Sequence, residues 1–170
     1  MMNSKNKGKS LENQVAAILR NFFGSDDRHI KRNVSSGTQK GEESDINILD
    51  SNIESKFPFL IEVKNQEKWK FSDLLGDNVN RKSNPFVLFW KQIEDHEIKT
   101  FEKRYNVNKP GLLVFSKAFY PIYTMIKFND IRQYDYTKLS YLDTTINGTR
   151  YLVFEFNSFL TLFGDKHENK

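Results

Sequence analysis

The chain contains no cysteine among its 170 residues. Disulfide bonds and zinc sites built on thiolates are therefore excluded, and this composition fits a reducing compartment. No apolar run approaches the roughly 18 residues of a membrane-spanning helix, and the opening MMNSKNKGKSLENQ lacks the apolar core of a signal peptide. We therefore expect a cytoplasmic protein with no membrane partner.

The positive charge of the chain is unevenly distributed. Residues 1–40 carry eight Lys or Arg against three acids, a net of +5, so the other 130 residues sum to −1 in a total of +4. Hydrophobic residues make up 38% of the chain, with fifteen Phe, which is typical of a globular protein. We expect one domain over residues 1–170, with residues 1–9 as a flexible basic arm. The basic end favours a polyanionic partner, although a solubilising surface has the same charge.

A single apolar stripe predicts the first helix over residues 10–23. Its members recur along one helical face, at Leu11, Val15, Ile18, Leu19 and Phe22. Gly24 follows as a C-terminal stop. At about 100° per residue, Glu12 lies just beside the stripe, so its carboxylate could reach a cleft between this helix and a sheet.

Two segments alternate apolar and polar residues, which predicts strands with two distinct faces. In SDINIL (44–49), Asp45 shares a face with Asn47; in FPFLIEVK (57–64), Glu62 and Lys64 share a face with Leu60. Only a turn near residues 50–56 separates the two segments, so they should pair antiparallel. A short strand is expected before them, at residues 30–34.

The rest of the chain mixes helices and strands. Residues 65–84 form a polar, basic loop or partial helix, and a helix of about 20 residues should begin at Pro85. KPGLLVFSK, YPIYTMIKF and RYLVFEF then predict strands, and Asn157 could cap a short terminal helix. This order indicates an α/β or α+β domain.

Glu62 and Lys64 point into one cleft, because side chains two apart on a strand share a face. A neighbouring strand can bring Asp45 beside Glu62, and paired carboxylates supply the oxygen ligands that Mg²⁺ or Mn²⁺ prefers. An adjacent ammonium can orient water or stabilise charge on a phosphate. The alternatives are an exposed Glu62–Lys64 ion pair, and Glu42 or Glu43 in place of Asp45.

Four stretches in this order resemble the PD-(D/E)xK nuclease superfamily, and within it the Holliday-junction resolvases of archaeal and phage type. They are KGKSLE (7–12), RNVSSG (32–37), SDINI (44–48) and IEVK (61–64). The later stretches FWKQ (89–92), KPGLLVFSK (109–117) and YLVFEFNSFLTLF (151–163) are similar to phage members. The resemblance spans most of the chain and suggests a bacterial or phage source.

The resemblance implies a restriction-endonuclease-like core, with a central mixed β-sheet flanked by helices. Position by position, it gives catalytic roles to Glu12, Asp45, Glu62 and Lys64. It also implies that Asp45 and Glu62, with the carbonyl of Val63, hold Mg²⁺ or Mn²⁺ and that Glu12 completes the coordination.

The sequence departs from the family pattern at two positions. Ser44 stands where the family has proline, and Asn13 follows the helix glutamate where members often carry a basic residue. The departure at Asn13 leaves a DNA contact at that point open.

Several further residues are candidates for DNA binding. They are Lys5, Lys7, Lys9, Arg32, Ser35, Ser36, Lys68 and Trp69. Each group has a structural alternative: a solvated tail for the first three lysines, turn chemistry around residues 32–36, and core packing for Trp69. Gln92 could support the site from the long helix.

These expectations favour a metal-dependent endonuclease that resolves four-way DNA junctions as a homodimer, because two symmetric cuts call for two sites. Two alternatives remain at this stage. One is another PD-(D/E)xK nuclease, of restriction or flap-processing type, and the other is a DNA-binding module without catalysis.

Overall fold

The computed structural model describes residues 4–33, 44–75 and 82–164. The strands in these ranges are β1 (Ile30–Arg32), β2 (Ile46–Ile48), β3 (Leu60–Asn65), β4 (Gly111–Ser116), β5 (Tyr123–Lys127), β6 (Tyr141–Ile146) and β7 (Thr149–Glu155). The α-helices are α1 (Ser4–Phe23), α2 (Ser51–Lys56), α3 (Pro85–Gln92), α4 (Lys99–Tyr105), α5 (Phe128–Ile131) and α6 (Phe156–Leu160). A π-helical segment, Ile93–Ile98, joins α3 to α4. Short 3₁₀ turns cover Phe71–Leu74, Tyr136–Lys138 and Thr161–Phe163.

The strands form one mixed sheet in the order β1-β2-β3-β4-β5-β7-β6. Only β3 and β4 run parallel, with Leu60 beside Gly111 and Lys64 beside Phe115. The other neighbouring pairs are antiparallel, including the predicted pairing of β2 with β3. Helices pack on both faces of this sheet, which confirms the predicted α/β class and its restriction-endonuclease-like core.

Two apolar clusters fill the space between the sheet and the helices. The α1-side core joins the stripe of α1 and the apolar residues of α6 to one sheet face, which includes Ile61 and Val63. The α3-side core joins α3 and Trp69 to the opposite face, which includes Leu113 and Phe115. Both faces of β4 are therefore covered, and all six of its residues are buried.

Helix α1 begins earlier than its sequence pattern predicts. It starts at Ser4 rather than at residue 10, so residues 4–9 of the expected arm are helical, and residues 1–3 lie outside the described part. No proline interrupts this stretch, and the single glycine, Gly8, costs only about 1 kcal/mol in a helix. The predicted stop is confirmed, since Gly24 has a φ of 61°.

Three local elements correct the sequence prediction. The expected turn at residues 50–56 is helix α2, whose first backbone N–H groups donate to the Asp50 carboxylate. Strand β6 was not predicted, although Asn147 and Gly148 mark its hairpin with β7: both have positive φ, as a two-residue hairpin turn requires. The cap of α6 is Glu155, which accepts from Ser158 N–H at 2.8 Å, and not Asn157.

The long helix begins as predicted and continues through an irregular middle. The Asn84 side chain accepts from Phe86 N–H at 2.9 Å, and Pro85 occupies the first turn. The helical chain then runs to Tyr105 through the π-helical segment. Among the described helices, none is both long and apolar enough to span a bilayer.

Candidate active site

Asp45 lies where the pairing between β2 and β3 stops. That ladder contains one residue pair, Ile46 with Ile61, and the backbone N–H of Asp45 donates to the Ile61 carbonyl at 2.9 Å. Beyond it, the Val63 N–H donates to Asp45 Oδ2 at 2.8 Å. At this point the backbone of β3 is hydrogen-bonded to the Asp45 carboxylate instead of to a neighbouring strand. This bond holds Asp45 beside Glu62.

Ser44 replaces the proline of the family pattern and holds both strands. The Ile61 N–H donates to Ser44 Oγ at 2.8 Å, and the hydroxyl lies 2.9 Å from the carbonyl oxygens of Ile46 and Ile61. A proline could make none of these side-chain contacts. The serine therefore positions Asp45 through backbone hydrogen bonds.

Glu62 is the centre of the site, and only 4% of its surface is exposed. Lys64 forms an ion pair with Glu62 Oε1, as expected for two side chains on the same face of β3. Gln92, the last residue of α3, donates to the same oxygen at 2.6 Å. The predicted partnership of Glu62 with Lys64 is therefore a contact in the structure, and Gln92 joins it from the opposite helix.

Glu97 is a fourth side chain at this point, and the sequence prediction missed it. It is 5% exposed and forms a hydrogen bond with Glu62. Gln92 and Glu97 are five residues apart, so a regular α-helix would place them about 140° apart around its axis. The π-helical segment has a wider turn, which brings both side chains to Glu62.

The carboxyl groups of this cluster shift one another's pKa values. Burial, followed by the charge of Glu62, raises the pKa of Asp45 to about 8. Burial and the hydrogen bond with Glu62 raise the pKa of Glu97 to about 11. Burial opposes the ionised form of Glu62 as well, but the hydrogen bond from Glu97 and the Lys64 ammonium outweigh it and lower the pKa of Glu62. At neutral pH the cluster therefore contains an ionised Glu62 and a protonated Glu97.

Glu12 reaches the site from α1, on the other side of the sheet edge. It is 9% exposed, and its charge contributes to the raised pKa of Asp45. The Arg32 guanidinium donates to Glu12 Oε2 at 3.1 Å. Arg32, predicted as a phosphate contact, is thus engaged with a site carboxylate, and its contact with DNA stays a prediction.

The other predicted DNA-binding residues have different environments. Lys9 is exposed on α1, and Lys5 and Lys7 lie on the same helix. Ser35 and Ser36, as well as the alternative acids Glu42 and Glu43, lie outside the described residues.

Trp69 is completely buried in the α3-side core, and its indole N–H donates to the Ser116 carbonyl at 3.4 Å. It cannot stack on a DNA base, so the structural alternative is correct for this residue. Five aromatic rings contact it edge-on, which explains why its large apolar surface is more stable inside. They are Phe71, Phe86, Phe115, Tyr120 and Tyr123.

A cleft of about 610 Å³ opens directly beside Lys64. Its walls come from the end of β3, the segment after it and α3, and they combine basic and polar side chains with one acid, Asp73, and with the apolar Leu88 and Phe89. The lining side chains include Lys64, Gln66, Lys68, Lys70, Ser83 and Gln92. Lys68 therefore lines a basic cleft that is continuous with the site, as a DNA-binding role requires.

Within the described residues, no three His, Cys, Asp or Glu side chains are grouped closely enough to form a metal cage by themselves. The buried Glu62 and the partly buried Asp45 and Lys64 meet in a mixed sheet with helices on both faces, which defines a site of the PD-(D/E)xK nuclease class.

The comparison with protein families agrees with this class. The family model described as "Phage putative PDDEXK endonuclease" matches residues 3–168. The chain belongs to this family, since the match covers almost its whole length. No curated protein and no solved structure matches it.

Proposed function

We propose that this chain is a metal-dependent, structure-specific DNA endonuclease that resolves four-way junctions by phosphodiester hydrolysis. The observation that carries the proposal is the convergence of Asp45, Glu62, Lys64 and Glu12, from three separate elements, on one buried point beside a basic cleft. Family membership supports the nuclease activity. The choice of the junction as substrate is supported by the resemblance of the four motif stretches to resolvases.

The donor set suits Mg²⁺ or Mn²⁺. The charge of Glu62 raises the pKa of Asp45, and a divalent cation would remove this repulsion between the two carboxylates. Mg²⁺ keeps several of its waters and needs only one or two protein carboxylates, so a closed cage of three is unnecessary. Asp45, Glu62 and the Val63 carbonyl would hold the ion, and Glu12 would complete its coordination through a bound water. When bound, the ion supplies Lewis-acid polarisation of the phosphate.

The side chains around these ligands have separate tasks in the proposed reaction. Lys64 holds its ammonium next to Glu62, where it would position the attacking water and stabilise negative charge on the phosphate. Gln92 restrains Glu62 from the opposite side. Hydrolysis forms one bond between water oxygen and phosphorus and breaks one phosphorus–oxygen bond to a deoxyribose.

A homodimer follows from the substrate. Resolution of a four-way junction needs two symmetric cuts, and each chain provides one set of catalytic side chains. The proposed active unit is therefore a two-fold pair.

A cleavage assay tests the proposal. The full chain is incubated with Mg²⁺ or Mn²⁺ and either a synthetic four-way junction, a linear duplex of the same sequence or a single strand. We expect cleavage of the junction in preference to the other two, and no cleavage with Asp45→Asn, which should still bind the DNA. Asp27→Asn, at an exposed position, is the matched control.

The other outcomes select between the alternatives. Equal cutting of linear duplex would remove the junction specificity and leave another PD-(D/E)xK nuclease. DNA binding by the wild-type chain without cleavage in either metal would leave a binding module.

A further inference from the structure

The loop between β4 and β5, residues 117–121, carries two exposed aromatic residues, Phe119 and the partly covered Tyr120. Phe119 is fully exposed and has a φ of 67°, a left-handed conformation that bulky side chains rarely adopt. Such a backbone costs roughly 1–2 kcal/mol for a residue with a Cβ atom. The backbone conformation of Phe119 thus destabilises the fold, and its exposed ring contributes no stability through burial. Such a residue is a candidate for a binding role.

The loop is held firmly on its inner side. Ser116 Oγ lies within 3.3 Å of three loop carbonyl oxygens, and the Tyr120 N–H donates to the Lys117 carbonyl at 3.1 Å. The Lys117 ammonium donates to the Trp69 carbonyl at 3.1 Å and lies over the rings of Trp69 and Tyr120, at 4.6 and 4.2 Å. The ring of Phe119 is therefore exposed on a pre-organised loop.

This loop follows the sheet end that carries the active site. Strands β3 and β4 are parallel, with Lys64 beside Phe115, so Phe119 comes four residues after the neighbour of the catalytic lysine. With strands about 4.8 Å apart and about 3.3 Å per residue, its backbone is roughly 10–15 Å from that of Lys64. Lys68 and Lys70 flank Trp69, to which the loop is bonded, and both line the basic cleft.

We propose that Phe119 stacks on an unpaired base of DNA bound in the basic cleft, and so favours substrates with unpaired bases over continuous duplex. This inference rests on the proposed action on DNA. The occupant is argued from charge: Lys64, Lys68 and Lys70 line the cleft, which suits a phosphate backbone, and Lys117 bonds the loop to the carbonyl of Trp69, between two of these lysines in the chain. A flat ring next to a basic groove is the arrangement that binds bases irrespective of sequence.

The experiment measures binding of the full chain without added metal, so that cleavage does not interfere. Fluorescence anisotropy compares a continuous duplex with the same duplex carrying two unpaired nucleotides. We expect Phe119→Ala to weaken binding of the second DNA roughly 5- to 150-fold, the range for loss of one base stack. Binding of the continuous duplex should change less than about twofold, and Phe119→Tyr should retain wild-type binding of both.

Tyr105 provides a matched control. It is also an exposed aromatic residue, but it precedes β4, at the opposite end of the strand from Phe119. Tyr105→Ala should leave both affinities unchanged. A 2-aminopurine at the unpaired position should be quenched by the wild-type chain and not by Phe119→Ala.

Three results would overturn the inference. The first is an equal loss of affinity for both DNAs with Phe119→Ala, and the second is no loss of affinity for either DNA. The third is a change in oligomeric state with Phe119→Ala in light scattering, which would make the ring a contact between copies. If the wild-type chain binds the two DNAs with different affinities but never cleaves DNA, the proposed base stacking is retained and the proposed endonuclease activity is refuted. If it cleaves but Phe119→Ala changes neither affinity, only the stacking fails.

A thermal measurement separates stacking from a structural role. Glycine adopts a φ of 67° without strain, so Phe119→Gly should raise the melting temperature by about 2–4 °C while losing the preference for unpaired bases. A lowered melting temperature would show that the ring stabilises the fold, and would overturn the inference.

Discussion

The two faces of β3 place neighbouring residues in opposite environments. On one face, Ile61 and Val63 pack in the α1-side core among apolar side chains. On the other, Glu62 is just as deeply buried but contacts Lys64, Gln92 and Glu97. Ile61 and Val63 thus contribute to the apolar core, while the alternate residues Glu62 and Lys64 form the polar cluster proposed as the active site.

The difference shows how the fold supports a costly site. Burial of ionisable groups is unfavourable even when they are paired, because they lose their hydration. The cost is visible in the raised pKa values of Asp45 and Glu97. The apolar face and the buried strand β4 hold β3 in place, so the polar face does not need to contribute to stability.

The most direct test of the contrast between the two faces of β3 replaces the Glu62 carboxylate on the polar face. We expect Glu62→Gln to lower the cleavage rate roughly 10²- to 10³-fold, because a proposed metal ligand and the partner of Lys64 are lost together. The melting temperature should stay within a few degrees. Glu102→Gln, at an exposed position of α4, is the control and should cleave normally. Substantial remaining activity in Glu62→Gln would contradict the assignment.

The neighbouring residue on the apolar face should behave in the opposite way. Ile61→Ala leaves a cavity in the α1-side core, so the free energy of unfolding in urea should fall by about 2–5 kcal/mol. Ile61→Val should lower it by only about 0.5–1.5 kcal/mol. Cleavage per folded molecule should be close to wild type in both; a large rate loss in Ile61→Val would show that the two faces are not separable.

Gln92 tests whether the helix side of the cluster matters for chemistry. Gln92→Ala removes the 2.6 Å hydrogen bond to Glu62 and should lower the cleavage rate about 10- to 100-fold, as the loss of a group that orients a metal ligand does. Stability should change little, because Gln92 is exposed. Lys91→Ala, the adjacent exposed residue, is the control. A normal rate in Gln92→Ala would mean that Lys64 alone is enough to orient Glu62.

The smallest expected effect concerns Glu97 and depends on pH. Its carboxyl group is protonated in the folded chain and ionised in the unfolded chain between its ordinary pKa of 4.5 and about 11, so wild-type stability falls as the pH rises through this range. Glu97→Gln cannot ionise, so it should exceed wild type in stability by about 1–3 kcal/mol at pH 7.

Urea unfolding at several pH values measures this difference. The two proteins should be equally stable near pH 4, and the gap should widen as the pH rises. A gap that stays constant with pH would show that ionisation of Glu97 is not its cause.

Local patterns were enough to predict much of this protein. Alternation along β3 predicted which side chains share a face with Glu62, and the apolar stripe of α1 predicted that Glu12 lies at its edge. The cap at Asn84 and the stop at Gly24 were also readable, because each depends on backbone groups within one turn. The β6–β7 hairpin was missed, although Asn147–Gly148 carries a recognisable turn signal.

Other features arise from contacts between residues far apart in the chain, so no local sequence pattern predicts these features. Glu97 reaches Glu62 only because the π-helical segment widens the helix at the point where it packs over β3. Packing also decided between the two alternatives for Trp69, and it exposed Phe119, for which the sequence had given no prediction. Five rings enclose Trp69, four of them from segments far along the chain, and a loop that is hydrogen-bonded to Trp69 holds Phe119 in solvent.

The sequence by itself thus determined most of the long strands and helices and the chemical groups on each face, because these follow from periodicity over a few residues. Tertiary packing decided which groups meet. Burial and the distances between charges set the pKa values and the contacts of the site, and both exist only once the sheet and its helices have assembled.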